Sequence, residues 1–236
     1  MAIHAFYPDL FDELLGKLKK LPRAFALFVT TCPERAGEIE ARLSGLDRPC
    51  ALDVMDNRGR DVLPFLRIYD RLCTEEIDVV FKVHTKRSPH RPDGARWRNE
   101  TVDALLRPDN FARIGAAFAA DPALGMVGAR AHLAPMWDNI VMNEARVFGL
   151  GRRLGLTAQE IRRARFFAGS IFAARLSSLA PLMSLAIAAE DFEPEAGQLD
   201  GTLAHAVERA FALSALAAGL RLAPVERLAV QERKGA

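Results

Sequence analysis

Runs of apolar residues alternate with helical patterns along the first 83 residues. Continuous apolar runs of strand length occupy residues 25–30, 51–55 and 77–83. Between them, as at residues 10–18 and 62–72, apolar residues recur every three or four positions, which is the period of a helix with one buried face. Strands that are apolar throughout are typical of a parallel sheet covered by helices on both faces. The pattern therefore predicts an α/β fold with a doubly wound, mostly parallel central sheet.

The second half of the chain has a less regular pattern. Helices are predicted over residues 97–106, 110–119, 138–164, 176–188 and 202–213. Strands are predicted over residues 124–129, 165–174 and 220–224. No internal repeat or low-complexity linker divides the sequence, so we predict one domain over residues 1–226, followed by a charged tail at 227–236.

Composition excludes several classes of protein. Of the 236 residues, 50% are hydrophobic and 26% are charged, which supplies enough apolar material for a core and excludes disorder as the main state. The 32 basic and 30 acidic residues give a net charge of +2, which argues against a general nucleic-acid binder. The three cysteines are widely spaced and form no CxxC pair, so neither a zinc ribbon nor a disulfide framework is indicated.

The sequence shows no signal for membrane insertion or export. The longest apolar stretches stop short of the roughly 18 residues that a membrane span needs. The first residues, MAIHAFYPD, lack the basic region and the apolar run of a signal peptide. We therefore expect a cytoplasmic protein.

Positive charge is concentrated in residues 82–98, KVHTKRSPHRPDGARWR. This segment holds six lysines and arginines and a single acid, and it follows a predicted strand. Parallel sheets bind their ligands at the carboxyl ends of the strands, and arginine and lysine bind phosphate oxygens. The segment is therefore a candidate site for a phosphorylated ligand. A solvated basic loop is an equally good explanation of the composition alone.

A second candidate, residues 56–61 (DNRGRD), follows the predicted strand at 51–55. Gly59 permits a tight turn or a close approach of the backbone, and Asp61 is placed to cap the next helix, whose N-terminus would favour an anion. A plain turn with a helix cap explains Asn57, Gly59 and Asp61, but it does not explain the two arginines of the segment.

Negative charge is concentrated in residues 190–200, which carry five acids and no base. An acidic surface turn is one explanation. Carboxylates beside a cationic pocket are also what general-base catalysis on a hydroxyl group needs. His205 and Glu208 follow at a spacing of three, so they are neighbours if the segment is helical. The five histidines of the chain show no HxxH or HExxH spacing, so no metal site is indicated.

Five ordered blocks of sequence resemble the rhamnan synthesis protein F family. They are HAFYPDLFDEL, NRGRDVLPFL, FKVHTKRSPHR, FFAGSIFAAR and EDFEPEAGQLDGTLAHAVER, and together they run from residue 4 to residue 209. That family belongs to bacterial cell-surface polysaccharide assembly. Its members are regarded as glycosyltransferases related to the A-type glycosyltransferase fold, which is Rossmann-like, and they are often one domain of a larger protein.

The resemblance implies a nucleotide that lies across the early strand ends, at Thr30, Thr31, Asn57, Arg58, Arg60 and Asp61. Enzymes of this fold usually carry a metal-binding Asp-x-Asp motif where this sequence has His84-Thr85-Lys86. The charge of the leaving nucleoside diphosphate must still be stabilised. The implied replacement for the metal is a set of cationic side chains: Lys82, His84, Lys86 and Arg87, with Arg58 or Arg60. We therefore expect neither a cofactor nor a divalent metal.

On the other side of the reaction, the resemblance implies acceptor or sugar contacts from Trp97, Gly169, Ser170 and His205. A bulge or a close packing contact is the alternative for Gly169-Ser170. The acidic segment matches the place where inverting enzymes of this fold keep their base. Asp200 is the first choice for that base, with Asp191 and Glu190 as runners-up. Helix capping or surface charge is the alternative for each carboxylate.

The family resemblance also implies the reactants. The donor would be a nucleotide-sugar, dTDP-L-rhamnose in this family, and the acceptor a glycan or a glycan linked to polyprenyl diphosphate. A transient contact with the inner membrane surface fits such an acceptor. A catalytically silent module that binds a nucleotide-sugar or a glycan is the alternative. Nucleic-acid binding through residues 82–98 is disfavoured by the near-zero net charge and by the single aromatic residue, Trp97.

Overall fold

The computed structural model describes residues 1–85 and 94–229 of the chain. Within these residues the strands are Ala2–His4 (β1), Leu27–Thr31 (β2), Cys50–Val54 (β3), Val79–His84 (β4), Leu124–Gly128 (β5), Leu133–Pro135 (β6), Arg165–Phe167 (β7), Phe172–Arg175 (β8) and Arg221–Pro224 (β9). The α-helices are Pro8–Leu18 (α1), Ala36–Leu43 (α2), Val62–Arg67 (α3), Tyr69–Thr74 (α4), Gly94–Leu106 (α5), Pro108–Ala120 (α6), Glu144–Arg153 (α7), Ala158–Arg163 (α8), Leu176–Met183 (α9) and Leu203–Ala217 (α10).

Seven strands form one sheet in the order β3-β2-β1-β4-β8-β5-β9, and β6 pairs with β7 in a separate two-stranded sheet. Strands β1 to β4 are mutually parallel, and β9 is parallel to β5. Strand β8 is antiparallel to both of its neighbours. The predicted α/β fold with a mostly parallel, Rossmann-like sheet is therefore confirmed.

Helices cover both faces of the sheet, which explains why most residues of its central strands are apolar whichever face they point to. One core cluster holds Phe28 together with residues of α3, α4, α7, α9 and α10. The other holds Leu27 and Val29 together with residues of α1, α2, α5 and α6. Neighbouring residues of one strand thus enter opposite cores, as the period of two requires. The described residues form a single domain, while the predicted boundary at residue 226 stays a prediction.

Two helices show how the sequence produces this packing. Helix α1 begins with Pro8, whose fixed φ suits the first helical position. It buries the predicted apolar face, which consists of Leu10, Phe11, Leu14, Leu15 and Leu18. Helix α10 is buried along 11 of its 15 residues, as expected for a helix that is apolar on nearly every side.

The prediction of a single strand over residues 165–174 is wrong. The structure has two strands, β7 and β8, which belong to different sheets. Between them Gly169 has φ +90° and Ser170 has φ +57°, so the backbone turns through the left-handed region and the extended run is broken. The helical pattern predicted over residues 138–164, which Gly149, Gly151 and Gly155 interrupt, contains two α-helices, α7 and α8. A capping box of Thr157 and Glu160 starts α8 as a helix separate from α7.

Among residues 1–85 and 94–229, no helix is long and apolar enough to span a bilayer. Most of the predicted tail, residues 230–236, lies outside the described residues.

Candidate functional site

Polar side chains line one face of the sheet at the carboxyl ends of its parallel strands. His4 of β1 lies opposite Thr30 of β2 and opposite His84 of β4. Lys82 lies two residues before His84 and therefore points to the same face. Helices α3 and α10 cover this face. The carboxyl edge of a doubly wound sheet is where ligands of such folds bind.

Lys82 is buried beneath this edge, with 2% of the residue exposed. Its Nζ lies 2.6 Å from Asp61 Oδ2 and donates to Ser170 Oγ at 2.7 Å and to Ser170 O at 3.1 Å. The ammonium group also lies 5.5–5.9 Å from the ring centroids of Phe65, Phe172 and Phe211. A cation enclosed in this way is tolerated only because its hydrogens are bonded and its charge is paired.

Asp61 directly precedes α3, but the predicted helix cap is wrong. The residue sits at the N-cap position with φ −86° and ψ −3°, and its side chain makes no capping hydrogen bond. The carboxylate instead accepts from Lys82 and lies 3.9 Å from His84 Nε2. The buried ammonium group of Lys82 is the stronger partner, because it brings a full positive charge to the carboxylate, whereas a helix cap brings a neutral backbone N–H.

The Gly169-Ser170 turn contacts both Lys82 and His84 and completes a buried cluster that consists of Asp61, Lys82, His84 and Ser170. The Gly169 carbonyl lies 2.7 Å from His84 Nε2, and its N–H donates to Glu208 Oε1 of α10 at 2.9 Å. A Cβ at residue 169 would overlap the indole ring of Trp97. Two features therefore favour glycine at position 169: its positive φ and the close approach of Trp97.

Trp97 of α5 is held in place by a second set of contacts. Its ring meets that of His132 edge-on, with 4.5 Å between the centroids. The Thr101 hydroxyl donates to the Trp97 carbonyl and lies 2.8 Å from His132 Nε2. Trp97 is half-buried, so an ordered aromatic surface lies beside the turn at residue 169.

The two threonines at the end of β2 have different surroundings. Thr30 Oγ1 lies 3.0 Å from His4 Nδ1. Together with Asp61 and Lys82 these residues line a cavity of about 10 Å³, which is at the lower limit of the space that holds one water. The Thr31 hydroxyl donates to the Ala5 carbonyl at 2.6 Å and is fully buried. Thr31 therefore ties β2 to the end of β1.

Burial dominates the electrostatics of His4. It lowers the pKa of His4 to about 4, because the charged imidazolium loses its hydration. Asp61 acts against this shift, whereas His84 and Lys82 add to it. His4 is therefore neutral at physiological pH and can exchange a hydrogen bond with Thr30 without adding charge to the cluster.

Arg58 and Arg60 hold the acidic segment onto the 56–61 loop. Arg58 Nε donates to the Phe192 carbonyl at 2.7 Å, and its Nη2 donates to the Glu190 carbonyl at 3.2 Å. Arg60 hydrogen-bonds the Gln198 carbonyl, and Glu195 accepts its backbone N–H at 3.1 Å. These contacts explain the two arginines that a plain turn left unexplained. Asn57 lies exposed in the same loop.

The three candidate carboxylates have different surroundings. Asp200 accepts from Asn143 Nδ2 at 2.7 Å and from the Met142 N–H at 3.2 Å, and it lies 3.7 Å from Arg209. Burial raises the pKa of Asp200, but these bonds and the arginine charge outweigh it, so the pKa lies below its usual value. Asp191 accepts the Ala188 N–H at 2.9 Å within its own turn, and Glu190 is exposed.

His205 is buried at the first turn of α10. Its Nδ1 lies 2.7 Å from Thr202 Oγ1 and accepts the Thr202 N–H at 3.3 Å, which is the arrangement of a capping box. This contact fixes the start of the helix that carries Glu208. A contact of His205 with a sugar stays a prediction.

A model of the family described as "Rhamnan synthesis protein F" matches residues 1–220. The chain belongs to the rhamnan synthesis protein F family. Membership of this family implies a role in rhamnan or polysaccharide synthesis.

Two curated relatives are similar to this member of the rhamnan synthesis protein F family over nearly its whole length. Both carry the name "Uncharacterized protein WxcX" and come from two strains of Xanthomonas campestris pv. campestris. Each is 37% identical over 227 residues, which is 96% of this chain and 32% of the relative. The chain therefore spans about one third of the length of these relatives.

The predicted diphosphate ligands of this family member are only partly described. Lys86 and Arg87 lie outside the described residues, in the connection between Thr85 and the start of α5 at Gly94. Lys82 and His84 lie in the buried cluster together with Asp61 and Ser170. Within residues 1–85 and 94–229, no group of three or more His, Cys, Asp or Glu side chains could hold a metal ion. Independence from metal stays a prediction.

Several residues of the site were missed by sequence reasoning. Thr101 and His132 stand in no motif, and His4 is only the first residue of the block HAFYPDLFDEL. The partners of these residues lie 26 to 31 residues away along the chain. Glu208 was noted only as a neighbour of His205. The single available signal was its position in the block DGTLAHAVER, which gives no direction for the side chain.

Proposed function

We propose that the chain is a glycosyltransferase domain of rhamnan-type polysaccharide synthesis. It transfers a sugar, L-rhamnose from dTDP-rhamnose, to a glycan acceptor with inversion. The observation that carries this proposal is the ion pair of Lys82 with Asp61, buried beneath the Gly169-Ser170 turn at the carboxyl edge of the sheet. Buried ion pairs contribute little net stability. A buried charge pair at the ligand-binding edge of such a sheet favours a functional role instead.

The buried cluster organises the site, and the segment after β4 binds the diphosphate. Lys82 already has its charge balanced by Asp61, so it acts by fixing the end of β4 and the turn at residue 170. Lys86 and Arg87, which follow His84 within three residues, are the proposed ligands of the leaving nucleoside diphosphate. Their positive charges would stabilise the negative charge that develops as the glycosidic bond breaks.

Asp200 is the proposed base. It would take the proton of the acceptor hydroxyl while that oxygen attacks the anomeric carbon and the nucleoside diphosphate leaves from the opposite face. It is ionised at neutral pH and can accept a proton, and its lowered pKa makes it a weaker base than an unperturbed aspartate. Asp191 and Glu190 are the alternatives. A glycan linked to polyprenyl diphosphate at the inner membrane surface is the proposed acceptor.

A catalytically silent nucleotide-sugar-binding module is the second candidate. Asp200 favours it, because the carboxylate is clasped by Asn143 and by the Met142 N–H, as a structural residue would be. Such a module would bind the same donor and organise a larger assembly, but it would not consume the donor.

One experiment separates these functions. The purified chain is screened by thermal shift against dTDP, UDP, GDP and their sugar conjugates, and each hit is assayed for release of free nucleotide with a glycan acceptor. A donor present at about 100 times its Kd stabilises the fold by about 2.7 kcal/mol, a rise in Tm of about 5–10 °C. Binding with transfer, lost in Asp200→Asn, supports the transferase. Saturable binding without transfer supports the silent module, and no binding contradicts both.

A further inference from the structure

Three buried or half-buried side chains from two elements converge on the Gly169-Ser170 turn. Glu208 of α10 accepts the Gly169 N–H at 2.9 Å. From β4, His84 lies 2.7 Å from the Gly169 carbonyl, and Lys82 binds both the hydroxyl and the carbonyl of Ser170. Three of the four polar backbone groups of this two-residue turn thus have charged or titratable side chains as partners. Such a concentration of partners exceeds what an ordinary loop needs.

The backbone of this turn is strained. Ser170 has φ +57°, in the left-handed region that residues other than glycine seldom occupy. Such a conformation persists only where the surroundings over-determine it, and strain of this kind collects at ligand-binding sites. The position of the turn therefore depends on the contacts made by Glu208, His84 and Lys82.

Of these contacts, those of Glu208 and His84 reach Gly169 itself, the residue that packs against Trp97, and Glu208 holds its N–H. The indole ring lies against the Cα of Gly169, and both residues are half-buried. An aromatic ring next to ordered backbone polar groups is the usual composition of a small-molecule subsite. A shift of the Gly169 peptide would move it relative to this ring.

We propose that Glu208 is a positioning residue for the sugar side of the transferase site. By accepting the Gly169 N–H, its carboxylate fixes the turn against Trp97, so that the ring and the turn together receive the hexose of the nucleotide-sugar. This inference rests on the proposed function and deepens it. Glu208 acts through Gly169 and takes no proton itself.

The test compares Glu208→Ala and Glu208→Gln with Glu144→Ala, a control that removes an exposed carboxylate from the start of α7. Each variant is titrated with dTDP-rhamnose and with dTDP, and kcat and KM are measured. We expect Glu208→Ala to lose about 100-fold in kcat/KM, since small displacements of a bound group cost that much. Its Kd for dTDP should stay within twofold. Glu208→Gln keeps an acceptor oxygen and should recover most of the loss.

The outcomes separate the possible failures. A purely structural Glu208 would lower Tm in the alanine variant and leave kcat/KM per folded molecule unchanged, which overturns the positioning role. If Glu208→Ala loses as much affinity for dTDP as for dTDP-rhamnose, its assignment to the sugar side is overturned. If Glu208→Ala does not fold, Glu208→Asp, which keeps the charge and shortens the reach, gives the same comparison. A wild-type chain that binds neither ligand contradicts the proposed function, and this inference with it.

Discussion

Lys82 Nζ lies 2.6 Å from Asp61 Oδ2, with only 2% and 7% of the two side chains exposed. Breaking this pair from one side leaves a buried charge without its partner. We expect Lys82→Met and Asp61→Asn each to lower the free energy of unfolding by about 3–5 kcal/mol. Urea unfolding followed by circular dichroism measures the loss.

The double variant Lys82→Met/Asp61→Asn removes both charges and should be more stable than the sum of the single losses predicts. The exposed pair of Arg23 with Asp47 is the matched control, since Arg23→Ala should cost less than about 1 kcal/mol. If the single variants lose as little stability as Arg23→Ala does, and the losses add up in the double variant, Lys82 and Asp61 do not stabilise each other.

Gly169→Ala tests the close approach of Trp97. Alanine must adopt φ +90° and place its methyl group in the space of the indole, so we expect a loss of about 1–3 kcal/mol. Gly149→Ala is the control, because residue 149 lies inside α7 with open space around it. That change should stabilise the protein by about 0.5–1 kcal/mol. Melting curves of the two variants should shift in opposite directions.

Local sequence patterns were sufficient to predict the layers of the fold. The apolar runs at β2 and β4 and the helical face of α1 were predicted because a strand and a helix each impose a period on neighbouring residues. The split between β7 and β8 was missed because a left-handed residue such as Ser170 leaves no trace in hydrophobic periodicity. Gly169 was the local hint, but a bulge within one strand fits it equally well.

The site was less predictable than the fold because its contacts join distant parts of the chain. Asp61 was expected to cap α3, as its neighbours suggested, but a lysine 21 residues away competes for its carboxylate. Arg58 was assigned to a phosphate, yet its donors reach carbonyls more than 130 residues away. Charge and residue type indicate that a side chain needs a partner, while only the topology decides which partner it meets.

Arg58 should control the attachment of residues 190–198. Its two hydrogen bonds to the carbonyls of Glu190 and Phe192 are charge-assisted. Arg58→Ala removes both, and we expect the free energy of local unfolding of this segment to fall by about 1.5 kcal/mol or more. The population of the locally unfolded segment would then rise by about tenfold or more. Digestion with a glutamate-specific protease reads this out, because the segment contains three glutamates. Arg23→Ala, which removes an exposed guanidinium elsewhere, is the control. Equal cleavage rates in wild type and Arg58→Ala would contradict this role.

His4 should make the fold sensitive to acid. Its pKa is about 4 in the folded protein against 6.5 for the free side chain, so the unfolded state binds more protons between these values. The stability contributed by neutral His4 is therefore complete above about pH 6.5 and is lost as the pH falls towards 4, by at most about 3 kcal/mol. Urea midpoints measured from pH 7 to pH 4 should fall less steeply in His4→Asn. Parallel pH profiles for the two proteins would rule out His4 as the source.

Catalysis should proceed without a divalent metal and depend on Lys86 and Arg87, which follow β4 in the sequence. The chain has His84-Thr85-Lys86 where a metal-binding Asp-x-Asp motif is usual, and in the proposed mechanism Lys86 and Arg87 offset the diphosphate charge. We expect EDTA to change kcat/KM by less than about twofold, whereas Lys86→Ala/Arg87→Ala should weaken dTDP binding by about tenfold or more. Lys19→Ala/Lys20→Ala removes the same charge from the exposed end of α1 and should leave the affinity unchanged. Complete loss of activity in EDTA, restored by Mn²⁺, would instead assign the diphosphate charge to a metal ion.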